Sequence, residues 1–444
     1  TISRVMALVG RSIIAQTIAW MVMMMAITPA SLSSAADDFA DGTVTIADLS
    51  QDFPEDAAAM ASSPGSMAIH DIASNDPLIR AAVVLEKGIV VAKYIREDVD
   101  AETPFQVWST TKSWISLLIG ILVDHNLLSI NETLGDIFAN DSSAWDDVTE
   151  IETIAFRKAV TIEEMLTMSS GLVLPPNEYD ELITVKETVE EVLKNGGGSS
   201  LSDTLAYPFI GDKGVFSYLA MSNILSYVVK ERAGMTPRKY LAENVMVHLS
   251  IAESEYSWLQ NSDGVEFSFH GLELTPLQMA KFGQLYLQGG QSGPTINNEE
   301  HRVISQSWID ASFTQHSVDS EGSGFGYGYL FWDYDPAYCA LGLFGQDICI
   351  DRHLERVVVQ QRDPNYDNAL QGTFGIPHVA LKETLSFDDV SGTFSMPFAP
   401  LKVAKSLPTG PKMSAVALLL LSWSVLKCSS ALYGRYKRTR YDAI

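Results

Sequence analysis

Residues 107–122 read VWSTTKSWISLLIGIL, with Ser109 and Lys112 three positions apart at the head of an apolar run. One helical turn places the two side chains on the same face, close enough to meet. A serine hydroxyl is a poor nucleophile until a neighbouring base takes its proton. A lysine can act as that base only when desolvation or nearby positive charge lowers its pKa, and the buried helix that follows supplies desolvation. The free N–H groups of the same helix N-terminus lie where an oxyanion would develop. Ser109 as a helix cap with Lys112 snorkelling to water is the non-chemical reading of the same residues.

The elements that must position this pair can be read on either side of it. AAVVLEKGIVVAKYI (81–95) has two β-rich runs around Lys87-Gly88, a hairpin pattern. From Ser109 the spacing of Trp114, Leu117, Leu118, Ile121 and Leu122 predicts a buried helix reaching the Asn126 region. A mostly helical middle follows. TIEEMLTM (161–168) opens on a capping box of Thr161 and Glu164. NILSYVVKERAG (223–234) is closed by Gly234, TPRKYLAENV (236–245) begins the next helix, and TPLQMAKFGQLYLQGG (275–290) is amphipathic. Strand patterns return in 326–334, 338–344, 347–351 and 356–362. Strands, helices, then strands predict an α+β domain over residues 76–384, its central antiparallel sheet drawn from both ends and flanked by helices, with an all-helical lobe inserted.

Composition narrows the function. The 444 residues carry 30 Lys+Arg against 55 Asp+Glu, a formal charge of −25, which repels phosphate backbones and argues against nucleic acid as a partner. Three cysteines, Cys339, Cys349 and Cys428, exclude a disulfide-dense scaffold and leave the redox compartment open. The eight histidines are scattered without metal-ligand spacing, so no metal site is expected, and attack by a serine with a lysine base requires no organic cofactor.

Both ends carry membrane signals. Arg4 and Arg11 precede an apolar run from Ile13 to Ala30 and the small residues SLSSAA, so residues 1–36 read as a signal peptide or signal anchor. Residues 37–75, rich in Asp, Ala, Ser and Pro, read as a linker or irregular N-terminal extension, and 385–411 as a second linker. MSAVALLLLSWSVL (413–426) and the basic GRYKRTR (434–440) suit a single span with a cytosolic tail within 412–444. Lys427 interrupts that run, which leaves a short buried or amphipathic helix as the other reading. The expected location is the secretory pathway, on the extracellular or periplasmic-type face of a membrane. There Asn131-Glu-Thr and Asn140-Asp-Ser match the tripeptide accepting N-glycosylation.

WSTTKSWISLLIGILVDHNLLSINETLGDIF (108–138) resembles the nucleophile motif of the serine β-lactamase and penicillin-binding-protein-like hydrolases, in the branch with class C β-lactamases, esterases and 6-aminohexanoate-dimer hydrolase. TIEEMLTMSSGL (161–172), GVFSYLAMSNILSYVVKERAGMTPRKYL (214–241), HGLELTPLQMAKFGQLYLQGG (270–290) and YCALGLFGQDICID (338–351) resemble further segments of that family in order. The resemblance spans roughly residues 80–365.

It implies Ser109 as the acylating nucleophile, Lys112 as its general base and Tyr218 as the tyrosine that protonates the leaving group. It also implies an oxyanion hole from the backbone N–H groups of Ser109 and Leu341, and substrate contacts near Tyr179, Ala220, Phe344 and Gln346. The sequence departs from the family at Ala220, where Ser or Asn is common, at Phe344, which replaces a His, and in lacking Lys-Thr-Gly. A β-lactam carboxylate would lose its cationic partner, so a small ester or linear amide is the expected substrate. A non-catalytic membrane-attached binding module and a cell-wall-type peptidase remain the alternatives.

Overall fold

The computed structural model describes residues 44–173, 199–218, 223–296, 299–319, 324–334, 336–364, 375–382 and 386–387. An eight-stranded antiparallel sheet organises them. Strands β1 (Ile79–Glu86) and β2 (Ile89–Ile95) form the hairpin expected from sequence. Lys87 and Gly88 both take positive φ, 53° and 76°, the twist that two-residue hairpin turns require. Six strands come from the far end of the domain: β3 (Ser317–Val318), β4 (Gly326–Tyr327), β5 (Trp332–Tyr334), β6 (Ala337–Gly342), β7 (Gln346–Asp351) and β8 (Arg356–Arg362). The order across the sheet is β3-β4-β5-β6-β7-β8-β1-β2, so the two ends of the domain join where β1 pairs β8, from Ile79 opposite Arg362 to Glu86 opposite Arg356.

Alternation along the strands divides the core. Val83 and Leu85 of β1 and Val357 and Val359 of β8 face helix α6 (Pro276–Leu287) in the larger cluster, which α3 (Thr111–Asp124) and α5 (Pro237–Asn244) also join. Ala82, Val84 and Val358 face the smaller cluster, under α1 (Ala57–Ser62) and α2 (Pro64–Asn75). Helix α4 (Ile224–Ala233) packs on α3 within the helical lobe and ends at Gly234 in the left-handed conformation, as its sequence predicts. The Thr161–Glu164 capping box is also formed.

Two expectations are corrected. Residues 57–75, expected within an irregular extension, are helical: Asp56 and Ser63 cap the two helices, and Ile69 and Ala73 bury against the sheet. Alanine-rich composition masked this, because short helices with a narrow apolar stripe give little periodic signal. The stretch 326–334 is not one strand. It folds back between β4 and β5, with Leu330 at φ 61° and Gly328 N–H bonded to Phe331 O.

Cys339 and Cys349 face each other across β6 and β7 and form a disulfide. Among the described residues no helix is long and apolar enough to cross a membrane, and the terminal runs 13–30 and 413–426 lie outside them.

Candidate active site

The chain reaches Ser109 through a tight bend. Val107 N–H is bonded to Leu272 O, and Trp108 then takes φ 50°, a left-handed conformation that strains a bulky residue. Residues Trp108–Thr110 form a single 3₁₀ turn that runs into α3. Within it, Lys112 Nζ donates to Ser109 Oγ at 3.0 Å. Lys112 is 4% exposed, and burial pushes its pKa down to about 7, where a substantial neutral fraction can accept a proton.

Aromatic groups surround the amine. Its Nζ lies 4.8 Å from the ring centre of half-buried Tyr218 and 5.8 Å from that of Phe269. His270, beside Phe269, is buried, stacked on Phe267 with centroids 4.5 Å apart, and neither ring nitrogen has a hydrogen-bond partner among the described residues. Burial first, and then the Lys112 charge, push its pKa down to about 3, so the imidazole is neutral at physiological pH.

Strand β6 supplies the other wall. Pairing of β5 with β6 ends at Trp332 opposite Cys339, so beyond Cys339 that edge of β6 has no partner strand among the described residues. The Cα atoms of Cys339 and Cys349 are 4.2 Å apart, the spacing of a non-hydrogen-bonded pair. Alternation makes Leu341 opposite Asp347 a pair of the same kind, which turns the Leu341 N–H away from β7 and toward the open edge.

Contacts between β6 and the nucleophile turn fix the approach. Thr110 Oγ1 donates to Gln346 O at 2.6 Å, and a Cβ at Gly342 would collide with Val107 O. The indole of Trp108 meets the ring of Phe344 edge to face, with centroids 5.0 Å apart.

The structure thus brings together Ser109, Lys112 and Tyr218, with Leu341 on the strand tied to their turn. Phe344 and Gln346 stand differently from the expected substrate contacts. Phe344 is buried against Trp108, and the Gln346 amide is committed inside the sheet, where Nε2 donates to Arg362 O at 2.6 Å. Tyr179 and Ala220 lie outside the described residues. Asn131 and Asn140 are exposed, and Thr133 of the first tripeptide caps a short helix through Asp136. Sequence reasoning missed Thr110, Trp108, Phe269 and His270. His270 opens the 270–290 segment matched to the family but was assigned no role there, and nothing in the sequence marked Phe269, Thr110 or the left-handed Trp108. Among the described residues no cluster of His, Cys, Asp or Glu could hold a metal ion.

A sheet built from both ends of the domain, with Ser-x-x-Lys at the head of the helix beneath it, defines the class of β-lactamase and transpeptidase-like folds. The chain belongs to the Beta-lactamase family, whose model matches residues 76–365. It is similar to a candidate 6-aminohexanoate-dimer hydrolase from Bacillus anthracis, with a TM-score of 0.55 and 17% identity over 77% of this chain and 87% of the other. It is also similar to a candidate beta-lactamase from Bacteroides dorei DSM 17855, with a TM-score of 0.52 and 13% identity over 70% of this chain and 96% of the other. At these identities the likeness is one of fold. No curated protein sequence matches the chain.

Proposed function

We propose that the protein is a serine hydrolase that cleaves small esters or linear amides through an acyl-enzyme. The observation that carries this reading is the 3.0 Å contact between Ser109 Oγ and a buried Lys112 whose pKa is near 7. Neutral Lys112 takes the hydroxyl proton as Oγ attacks the carbonyl carbon. The N–H groups of Ser109 and Leu341 hold the oxyanion of the tetrahedral intermediate. Its collapse breaks the bond to the leaving oxygen or nitrogen, which receives the proton from Lys112 by way of Tyr218. Water then attacks the acyl-Ser109 ester as Lys112 takes its proton, and collapse of the second tetrahedral intermediate returns that proton to Ser109 Oγ, releasing the acid and the free serine.

The departures from the β-lactamase pattern favour ester and linear amide substrates, and the solved-structure neighbour described as a candidate 6-aminohexanoate-dimer hydrolase supports including amides. The same proposal puts the enzyme in the secretory pathway, with residues 76–384 as its catalytic domain and an apolar terminal run as anchor. The Cys339–Cys349 bridge supports that compartment, since disulfides persist in oxidising surroundings. Hydrolysis of p-nitrophenyl acetate tests the reading: Ser109→Ala lowers kcat/KM by about 10³-fold or more, whereas unchanged turnover rejects it.

A further inference from the structure

The rings beside Lys112 do not end at Tyr218. Tyr218 lies 5.4 Å, centroid to centroid, from Trp332, and Trp332 lies 5.9 Å from Phe216. Beneath all three is Tyr327, whose ring centre is 4.8 Å from Trp332, 5.3 Å from Phe216 and 6.2 Å from Tyr218. Tyr327 is buried, and Phe216, Tyr218 and Trp332 are each half-buried, so an aromatic floor carries three partly open rings. Three separate segments contribute them: the loop carrying Phe216 and Tyr218, strand β4 and strand β5. The cluster begins at the catalytic amine, because Lys112 Nζ sits 4.8 Å from the Tyr218 ring centre and 3.0 Å from Ser109 Oγ.

Proton bookkeeping fixes which half of a substrate meets these rings. The proton taken from Ser109 resides on Lys112 and must reach the leaving heteroatom as its bond to the carbonyl carbon breaks. That heteroatom therefore stands on the Lys112–Tyr218 side, and whatever it carries extends over Trp332 and Phe216. Open aromatic faces and edges suit a flat, uncharged aromatic group, which gains ring contacts as well as burial. A carboxylate placed there would be desolvated against an uncharged wall.

We propose that Phe216, Tyr218 and Trp332 form a leaving-group subsite selecting esters or amides of aromatic alcohols or amines. This assignment rests on the serine-hydrolase reading above. The substrates that separate the two are 2-phenylethyl acetate and ethyl acetate, whose alcohols are of similar acidity and which give the same acetyl-Ser109. Any difference in kcat/KM then arises before deacylation.

The expected result is a kcat/KM ratio of at least about ten in favour of 2-phenylethyl acetate. Trp332→Ala reduces that ratio to near one. Phe216→Leu, which keeps apolar volume, reduces it in the same direction if the first variant fails to give a cooperative thermal transition. Ser109-dependent turnover of both esters with a ratio near one, or with a ratio unmoved by these variants, overturns the subsite and leaves the hydrolase reading standing. No Ser109-dependent turnover of either ester overturns both.

Discussion

The indole of Trp108 and the ring of Phe344 meet edge to face at 5.0 Å, and both residues hold positive φ, 50° and 67°. One immediately precedes Ser109, the proposed nucleophile, and the other follows the strand that carries Leu341. Two left-handed, non-glycine residues are unfavourable singly, each by roughly 1–3 kcal/mol. Their buried rings pack against each other, and in the proposed mechanism that contact fixes how the strand carrying Leu341 approaches the Ser109 turn.

Removing one ring should loosen that approach more than it weakens binding. Phe344→Ala is expected to lower kcat on a small ester by about 10- to 100-fold with a smaller change in KM. Steady-state kinetics on p-nitrophenyl acetate check it. A pure KM effect would show that Phe344 touches substrate instead.

The approach of β6 to the nucleophile turn gives a second outcome. A Cβ at Gly342 has no room beside Val107 O, which is backbone and cannot swing aside. Gly342→Ala is expected to displace the strand and lower kcat/KM by about 10²-fold, while the far-ultraviolet circular dichroism spectrum stays that of the parent.

Lys112 sets the pH dependence. Only its neutral form accepts the Ser109 proton, so kcat/KM of an ester should rise with pH through an acid limb near 7. Lys112→Arg should be inactive across that range, because a guanidinium does not release its proton. Among the described residues, the groups facing the amine include Ser109, Tyr218, Phe269 and neutral His270. His270→Glu places a carboxylate there, favours the ammonium form, and should move the acid limb to higher pH.

The same depressed pKa burdens the fold. Below pH 7 the native state must carry a buried ammonium, and above pH 7 it gives up a proton that the unfolded chain keeps. The unfolded state therefore binds more protons between pH 7 and about 10.4, and stability rises with pH through that window. Lys112→Met should stabilise the protein by roughly 3–5 kcal/mol at pH 7, with the gain fading toward pH 10. Urea unfolding at both pH values measures it.

How much of this was legible beforehand differs by residue. Ser109 and Lys112 were readable because a helix fixes what lies three positions away, and the β1–β2 hairpin because Lys87-Gly88 suits a turn demanding positive φ at both positions. The fold followed from the order of strands and helices. Contacts made across long sequence separations were not legible. Thr110 reaching Gln346, Trp108 meeting Phe344, and Tyr218 lying near Trp332 each join segments more than 100 positions apart. Nothing in the local pattern of either partner announces such a meeting. The Gln346 amide, expected near substrate, is held by Arg362 O on the neighbouring strand, a pairing set by sheet register.

The Cys339–Cys349 bridge closes a short loop at the strand that carries Leu341. Replacing both residues by serine should lower stability by about 2–3 kcal/mol on the chain-entropy model. Thermal unfolding of the oxidised protein and the double variant checks this, and equal stability would mean that β6 and β7 hold their register without the bridge.

The most direct measurement is the intact mass of the protein after exposure to a fluorophosphonate. The expected result is a single phosphonyl adduct, mapped by peptide sequencing to Ser109, absent from Ser109→Ala and slowed strongly in Lys112→Met. A folded protein that takes up no adduct, or one labelled equally well after Ser109→Ala, would contradict Ser109 as the nucleophile.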